Sequence, residues 1–405
     1  MTRAVASCWA NYLDACATTP PAPEVLEAMA AVHAGAWANP SSLHGFGLAA
    51  AEQLERCRQR IGELLGCASH QVLFTSGGSE SIHTALLGVA TTLPAGRLLI
   101  SAVEHPATLA AAKQLQSRGW QVERLPVDGL GLVDQQLLEQ LLMPPTRLVS
   151  LIWGQSEVGT IQPLQAIGRK CRAAGVLLHV DAVQVIGHQQ LNFNALPVDL
   201  LSLAGHKLQG PRGIGALLLH PDLQLSPLIG GGGQEAGRRG GTESVALVAG
   251  LARALELCTD RLVAHGGSDP VGPLRNALLE QLLQLEGVRL SGPDPRDLEA
   301  PERLPHHLSL LLAGPDGQPL SGRRLVRNLW QQGYAVGSGS ACSSSQAGGP
   351  AGLTPSPILL AMGYTSEVAA SGLRFSLGPW HRAADLAGVG AALERARQPS
   401  PPRVI

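Results

Sequence analysis

Residues 176–220 read VLLHVDAVQVIGHQQLNFNALPVDLLSLAGHKLQGPRGIGALLLH. Three runs within them, VLLHVD (176–181), LLSLA (200–204) and GALLLH (215–220), are short and continuously apolar, the pattern of strands buried on both faces. Working outward, runs of the same kind occur at QVLF (71–74), RLLI (97–100), QVERL (121–125) and LVSLIW (148–153). Segments of helical period lie between them, among them SESIHTALLGVA (79–90) and PLQAIGRKCRAAG (163–175), whose apolar residues recur at three and four. The alternation predicts parallel βαβ units in a doubly wound α/β sheet, with function concentrated at the C-terminal ends of the strands. The Gly-rich stretch LIGGGGQEAGRRGGTE (228–243) and the helical pattern VALVAGLARALELCTDRLVA (245–264) are followed by mixed elements to the C-terminus. We therefore expect a large domain over residues 20–258 and a smaller α/β domain from residues 1–19 and 259–395, with 396–405 a disordered tail. PDPRDLEAPERLPHH (293–307) reads as a polar, proline-rich loop.

With 405 residues, 45% of them hydrophobic and 15% charged, the chain can build a full core and two domains. Lysine and arginine total 30 against 31 acidic residues, so no global field would hold the chain on nucleic acid or an anionic membrane. The opening MTRAVASCWANYLDACATTP introduces charge too early for a secretory leader, and no apolar run approaches the roughly 18 residues of a membrane span. A cytosolic protein is expected. Seven cysteines, odd in number and without a CxxC pair, predict reduced thiols that mostly serve as small buried hydrophobes. Cys342 is the exception, because GSGSACSSSQAGGPAGLTPSP (337–357) suits a flexible loop that presents a thiol.

Lys207 follows an apolar strand and precedes a glycine-rich turn, where a crowded, poorly solvated amine can form an imine. Asp181 ends another such strand, where a carboxylate is costly unless it meets a cation; an N-cap ahead of AVQ is the alternative, and Gln184 lies one turn on. SGGSES (76–81) opens a helix after a strand, so Gly78 and Ser79 present N–H groups and a hydroxyl to an anion such as phosphate, beside which His206 and Thr242 are further candidates, Thr242 from a neighbouring subunit. His105, in SAVEHPAT after a third strand, can stack on a flat ring and move protons. Arg374 in GLRFSLG offers a planar fork for a carboxylate.

These residues sit in an ordered series of motifs: YLDACATTP (12–20), NPSSLHGFG (39–47), FTSGGSES (74–81), EHPA (104–107), SEVGTIQPL (156–164), HVDAVQ (179–184), GHKLQGPRGIG (205–215), RRGGT (238–242), GSGSAC (337–342) and LRFSLG (373–378). The series resembles the cysteine desulfurases, pyridoxal 5′-phosphate (PLP) enzymes of fold type I, and among them the branch with a long mobile loop around the catalytic cysteine. The resemblance implies a homodimer that removes sulfur from L-cysteine, leaves L-alanine, and passes the sulfur from a persulfide to an acceptor protein such as an iron–sulfur scaffold. It implies Lys207 as the lysine that holds the cofactor as an imine, Asp181 as the partner of its ring nitrogen, Gln184 as donor to its ring oxygen and His105 as the stacking acid and base. Gly78, Ser79, His206 and Thr242 match phosphate positions, Arg374 and Asn39 substrate positions, and Cys342 the persulfide cysteine.

The chain departs from the family pattern at three places. Gln155 and Ser156 stand where the family has two asparagines, Ser156 falling beside the ring and the substrate carboxylate. Ala204 replaces a phosphate-binding serine, and the loop after Cys342 is extended by GGP (348–350). Each lost hydrogen bond to a charged ligand is worth about 1.5–3 kcal/mol. Two other activities stay open on these residues: a C–S lyase or selenocysteine lyase on the same scaffold, and a relative that binds partners without catalysis.

Overall fold

The seven apolar runs form one seven-stranded sheet in the computed structural model, which describes residues 9–339 and 355–398. The strands are β1 (Val72–Thr75), β2 (Arg97–Ser101), β3 (Gln121–Leu125), β4 (Thr146–Ile152), β5 (Leu177–Asp181), β6 (Leu200–Ala204) and β7 (Gly215–Leu219), in the order β1-β7-β6-β5-β4-β2-β3. β6, β5, β4, β2 and β3 run parallel, but β7 is antiparallel to both β6 and β1. The sheet is thus mostly parallel, in keeping with the expected doubly wound α/β architecture, and its antiparallel strand has a physical reason. Residues 205–214 are too short for a crossover helix, and a connection of that length returns the chain alongside its own strand. That connection carries Lys207.

All residues of β1, β6 and β7 are buried, which explains their unbroken apolar sequence. Helices cover the faces; Val245–Ala264 packs on Pro23–Gly35 and Gly45–Leu65 and runs without a break through residue 258. One polar line crosses the buried sheet: His179 on β5 bridges Ser150 Oγ at 2.8 Å and Ser202 Oγ at 2.9 Å. Burial pushes this imidazole down to about 3, so it is neutral and pins three parallel strands in register beneath Asp181.

A smaller C-terminal α/β unit is built on the antiparallel sheet β10-β9-β8, formed by β8 (Val288–Leu290), β9 (His307–Leu312) and β10 (Gly372–Ser376). Leu13 from the N-terminal segment belongs to its core with Leu278, Leu310, Phe375 and Leu393. Bridges from Tyr12 to Ala335 and from Asp14 to Ser376 draw residues 12–14 alongside it, so Cys16 and Ala17 emerge where the two units meet the end of the large sheet. The last helix, Val389–Arg397, buries Ala396 inside the segment expected to be tail. The stretch 293–307 is likewise less of a surface loop than its composition suggests, since Arg303, Leu304, His306 and His307 are buried.

Candidate active site

The C-terminal ends of β2, β4, β5 and β6 converge with β10 and the start of the helix after β1 on a cavity of about 190 Å3. Gly78, Ser79, His105, Ser156, Asp181, Gln184, His206, Lys207 and Arg374 all line it. Sequence reasoning singled out each of these. Cys16, Ala17, Ile82, Ile152, Val183 and Ala204 complete the lining.

Lys207 ends a short turn, Gly205–Lys207, directly after β6. Its Nζ donates to the carbonyl oxygens of Cys16 at 2.5 Å and Ala17 at 2.9 Å. Gln184 Nε2 donates to the same Cys16 oxygen at 2.9 Å, so the first segment of the chain forms the wall on which amine and amide are held. His206 is anchored beside it, with Nδ1 3.1 Å from Thr18 Oγ1. Burial, with Lys207 and Arg212 adding to it, pushes His206 down to about 4.

Asp181 closes β5 fully buried, and its Oδ1 accepts from Val183 N at 3.0 Å, so it also caps the turn after the strand. Burial pushes its carboxyl above the usual range, while His105 and Lys207 pull the other way. His105 caps the helix Pro106–Gln116 through Nδ1, which accepts from Ala107 N at 3.1 Å. Burial lowers its pKa, and a neutral ring with Nδ1 as acceptor carries its proton on Nε2.

Glu104, one residue before His105, is a buried acid that the sequence reading passed over. Its Oε1 accepts from Ser101 Oγ at 2.5 Å and from Ile152 N at 2.8 Å, while Oε2 has no partner. Burial chiefly, and the charge of Asp181, push it up to about 8. Between its ordinary value near 4.5 and about 8 the unfolded chain loses this proton and the folded chain keeps it, so stability falls as pH rises through that window. Glu104→Gln keeps the acceptor and removes the titration. Its stabilising effect is expected to be absent below pH ~4.5 and to reach a few kcal/mol above pH ~8, measured as melting temperature against pH. An equal shift at both ends of the range would contradict this account.

At the phosphate-like end, Gly77 opens the helix at φ 149°, a backbone region glycine enters without penalty. Gly78 follows so closely against the wall that a Cβ there would lie 3.0 Å from Val183 Cγ2 and 3.6 Å from Ala204 Cβ. At the opposite end Arg374, 2% exposed, donates from Nη2 to Asp14 Oδ1 at 2.8 Å and from Nη1 to the Ser156 carbonyl at 2.9 Å. Its Nε is buried without a partner. His307 Nε2 lies 3.1 Å from the same Ser156 oxygen. Gln155 points away from this cavity, holding the turn instead: Nε2 donates to Val103 O at 3.1 Å and Oε1 accepts from Glu157 N and Val158 N.

Two candidates do not reach the cavity. Asn39 is exposed, its Oδ1 accepting from Ser41 N, and Thr242 is exposed in the Gly-rich loop. That loop is fastened to β1 through Glu235, which takes both Nη groups of buried Arg58 at 2.7 Å and Phe74 N at 3.0 Å. Cys342 lies outside the described residues. Among the residues missed, Cys16 and Asp14 carried a usable signal, since YLDACATTP was one of the matched motifs.

The aminotransferase class-V family matches residues 11–389. A cysteine desulfurase IscS from Dictyoglomus turgidum is 36% identical over 387 residues, covering 95% of this chain and 93% of that protein. A solved NifS-like protein superposes with a TM-score of 0.83 at 32% identity, over 95% of this chain and 98% of its own. A structure described as SspA in complex with cysteine gives 0.77 at 30% identity, over 92% and 100%. With a sheet of this order, a cavity at its strand ends and similarity along almost the whole length, the chain belongs to the class-V aminotransferase-like family of PLP fold type I, within its cysteine desulfurase group.

Proposed function

We propose that the chain is a PLP-dependent cysteine desulfurase that converts L-cysteine to L-alanine and carries the released sulfur as a persulfide on Cys342. The observation that supports this most is the convergence of Lys207, Asp181, His105 and Arg374 on one cavity. The residues fit the cofactor. Asp181 is a buried carboxyl whose charge an adjacent cationic ring nitrogen would restore, and the close wall at Gly78 is a cradle that a Cβ would fill.

In this reading Lys207 holds the cofactor covalently, Asp181 faces its ring nitrogen, and Gly78, Ser79 and His206 take its phosphate. Bound there, PLP supplies an electron sink for the substrate. His105 would cover the ring and, neutral with Nδ1 accepting from Ala107 N, hand over the proton on Nε2 and take it back there. Lys207 moves the proton at the substrate's α-carbon. Arg374 would anchor the carboxylate from the cavity lining to which it belongs. Gln184, now donating to the Cys16 carbonyl, would be the donor to the ring oxygen. The Cys342 thiolate would attack the substrate sulfur, forming the persulfide S–S bond as the substrate's carbon–sulfur bond breaks, with that bond's electrons staying on the carbon that is then protonated to give alanine.

A homodimer follows in the same reading. Trp37, Leu43, Phe46 and Leu48 are 65%, 91%, 64% and 56% exposed around Asn39, with the Trp37 and Phe46 rings 5.9 Å apart, an apolar patch that a second copy would cover. Such a copy would bring Asn39 and Thr242 to their substrate and phosphate positions. The sulfur acceptor is proposed to be a protein such as an iron–sulfur scaffold, and the setting a reducing cytosol, in keeping with the free thiols among the described residues.

The product decides the reaction. Purified protein given L-cysteine and a reductant is expected to yield alanine; pyruvate in its place would establish a C–S lyase and overturn the proposal. A second expectation concerns the missing phosphate hydroxyl. Ala204 faces Gly78 at the cavity wall, so Ala204→Ser adds one donor to a charged group and should tighten cofactor binding about tenfold to a hundredfold, from about 1.5–3 kcal/mol. Equilibrium dialysis against PLP measures it; unchanged affinity would remove Ala204 from the phosphate wall.

A further inference from the structure

We propose that His307 is a positioning residue for the substrate: it fixes the Ser156 carbonyl that Arg374 also holds, and so sets the carboxylate-binding end of the cavity. The proposal rests on the desulfurase reading for the carboxylate at Arg374, but its geometry lies behind the cavity wall. His307 is fully buried and is not part of the lining, so it acts only through the groups it touches.

The contacts form a continuous chain. Buried Arg303 donates from Nε to the Pro293 carbonyl at 2.7 Å and from Nη2 to the Ser291 carbonyl, and its Nη1 lies 3.3 Å from His307 Nδ1. A guanidinium has no acceptor, so Nδ1 carries the lone pair and the ring proton sits on Nε2. Burial chiefly, with the charges of Arg303, Arg374 and Arg275 adding to it, keeps the ring neutral against the pull of its Ser156 contact. Nε2 therefore donates to the Ser156 carbonyl, 3.1 Å away.

Arg374 Nη1 donates to that same oxygen at 2.9 Å, and its Nη2 donates to Asp14 Oδ1 at 2.8 Å. A carbonyl oxygen has two lone pairs, so these two donors fill it, one from behind the wall and one within it. The peptide plane after Ser156 is thereby held from two directions, and with it the Ser156 side chain and the Arg374 fork, both of which line the cavity. The turn that carries Ser156 is docked on the same segment: Leu304 N donates to the Gly159 carbonyl at 2.8 Å, and a Cβ on Gly159 would lie 2.6 Å from His307 Nδ1. The buried stretch 303–307 thus has a task. Without the His307 donor the shared oxygen keeps Arg374 alone, and a shift on the order of 1 Å at a binding group costs up to about a hundredfold.

Two amide substitutions separate the contact from the bulk of the ring. In His307→Gln the amide reaches about as far as Nε2 and can donate to Ser156, whereas in His307→Asn it stops near Nδ1 and meets only Arg303. The cofactor-loaded, full-length proteins are compared by KM and kcat for L-cysteine and by the dissociation constant of L-alanine, read from the cofactor's visible absorbance. The same titration with cysteamine, which is cysteine without its carboxylate, supplies the control.

For His307→Asn, KM and the L-alanine dissociation constant are expected to rise about tenfold with kcat within about threefold, the pattern of a lost binding contact. Cysteamine should bind parent and variant alike, and His307→Gln should bring both constants back to within about threefold of the parent. Parental L-alanine affinity in His307→Asn, an equal loss for L-alanine and cysteamine, or a His307→Gln protein no better than His307→Asn overturns the proposal. If His307→Asn takes up no cofactor, His307→Phe, which keeps a ring and neither nitrogen, is judged by the same limits. Failure of both to load overturns the proposal too, since the Lys207 and phosphate end of the cavity does not depend on His307. The product is scored separately: pyruvate from the unaltered protein rejects the desulfurase reading and leaves the comparison of L-alanine with cysteamine standing.

Discussion

Lys207→Ala is expected to lower alanine formation from L-cysteine at least about a thousandfold, because one substitution removes both the covalent hold on the cofactor and a positioned proton carrier worth about 10²–10⁴ in rate. In the cofactor-free protein, where Nζ stays on two main-chain carbonyls, the structure adds a stability effect of predictable size. Nζ donates to the Cys16 and Ala17 carbonyls; Gln184 still serves the first after the change, but the hydrogen bond to the second is lost. One carbonyl left without its donor costs about 1–3 kcal/mol. Lys207→Arg separates the two effects. It restores donors near those carbonyls but forms no imine, so stability should recover while activity does not. A Lys207→Ala protein that retained alanine formation within tenfold of the parent would contradict the assignment; rate constants and denaturant midpoints measure the two effects.

The polarity of the cavity explains why these groups work where they are. Glu104 and His105 follow β2 and Asp181 ends β5, on either side of β4, and burial moves each toward its neutral form: the acids up, the imidazole down. A cationic ring nitrogen arriving beside Asp181 reverses that for one group alone. Of these three groups only Asp181 would then be charged, with the cationic Arg374 elsewhere in the same lining.

Most of the large sheet was legible because six of its strands are almost wholly buried and strongly apolar; β3, at the sheet edge with only Leu125 buried, carried a weaker signal. The direction of β7 was not, since an apolar run has no polarity; only the length of the 205–214 connection carries that information. Lys207, Asp181 and His105 were found because function in such sheets gathers at strand ends, a rule that needs no long-range contact. The contributions of Cys16 and Asp14 were hidden for the opposite reason. They act through partners such as Ser376 and Arg374, up to 360 positions away, which no local period encodes. The stretch 293–307 misled because proline and charge look like surface, whereas Arg303 is buried by donating to the carbonyls of Pro293 and Ser291. Asn39 and Thr242 matched family motifs yet lie outside the cavity of a single chain, where an assembly, not a fold, would have to bring them in.

The second large effect belongs to Cys342. Its neighbours in sequence, Gly337 to Gly339, already border the site: Gly337 pairs with Arg374 through two backbone hydrogen bonds of 2.7 and 3.0 Å. In the proposed reading, removing Cys342 would take away the nucleophile that accepts the sulfur while leaving cofactor, base and carboxylate anchor in place. Alanine turnover should therefore collapse by two orders of magnitude or more, on the scale of a lost nucleophile, with substrate binding nearly unchanged.

The most direct test of the central claim is the steady-state rate of alanine formation from L-cysteine, with a reductant present, by the cofactor-loaded protein and by Cys342→Ala. The account predicts a yellow protein that turns over to alanine, and a variant equally yellow that does not. Equal alanine turnover by the two proteins would contradict it.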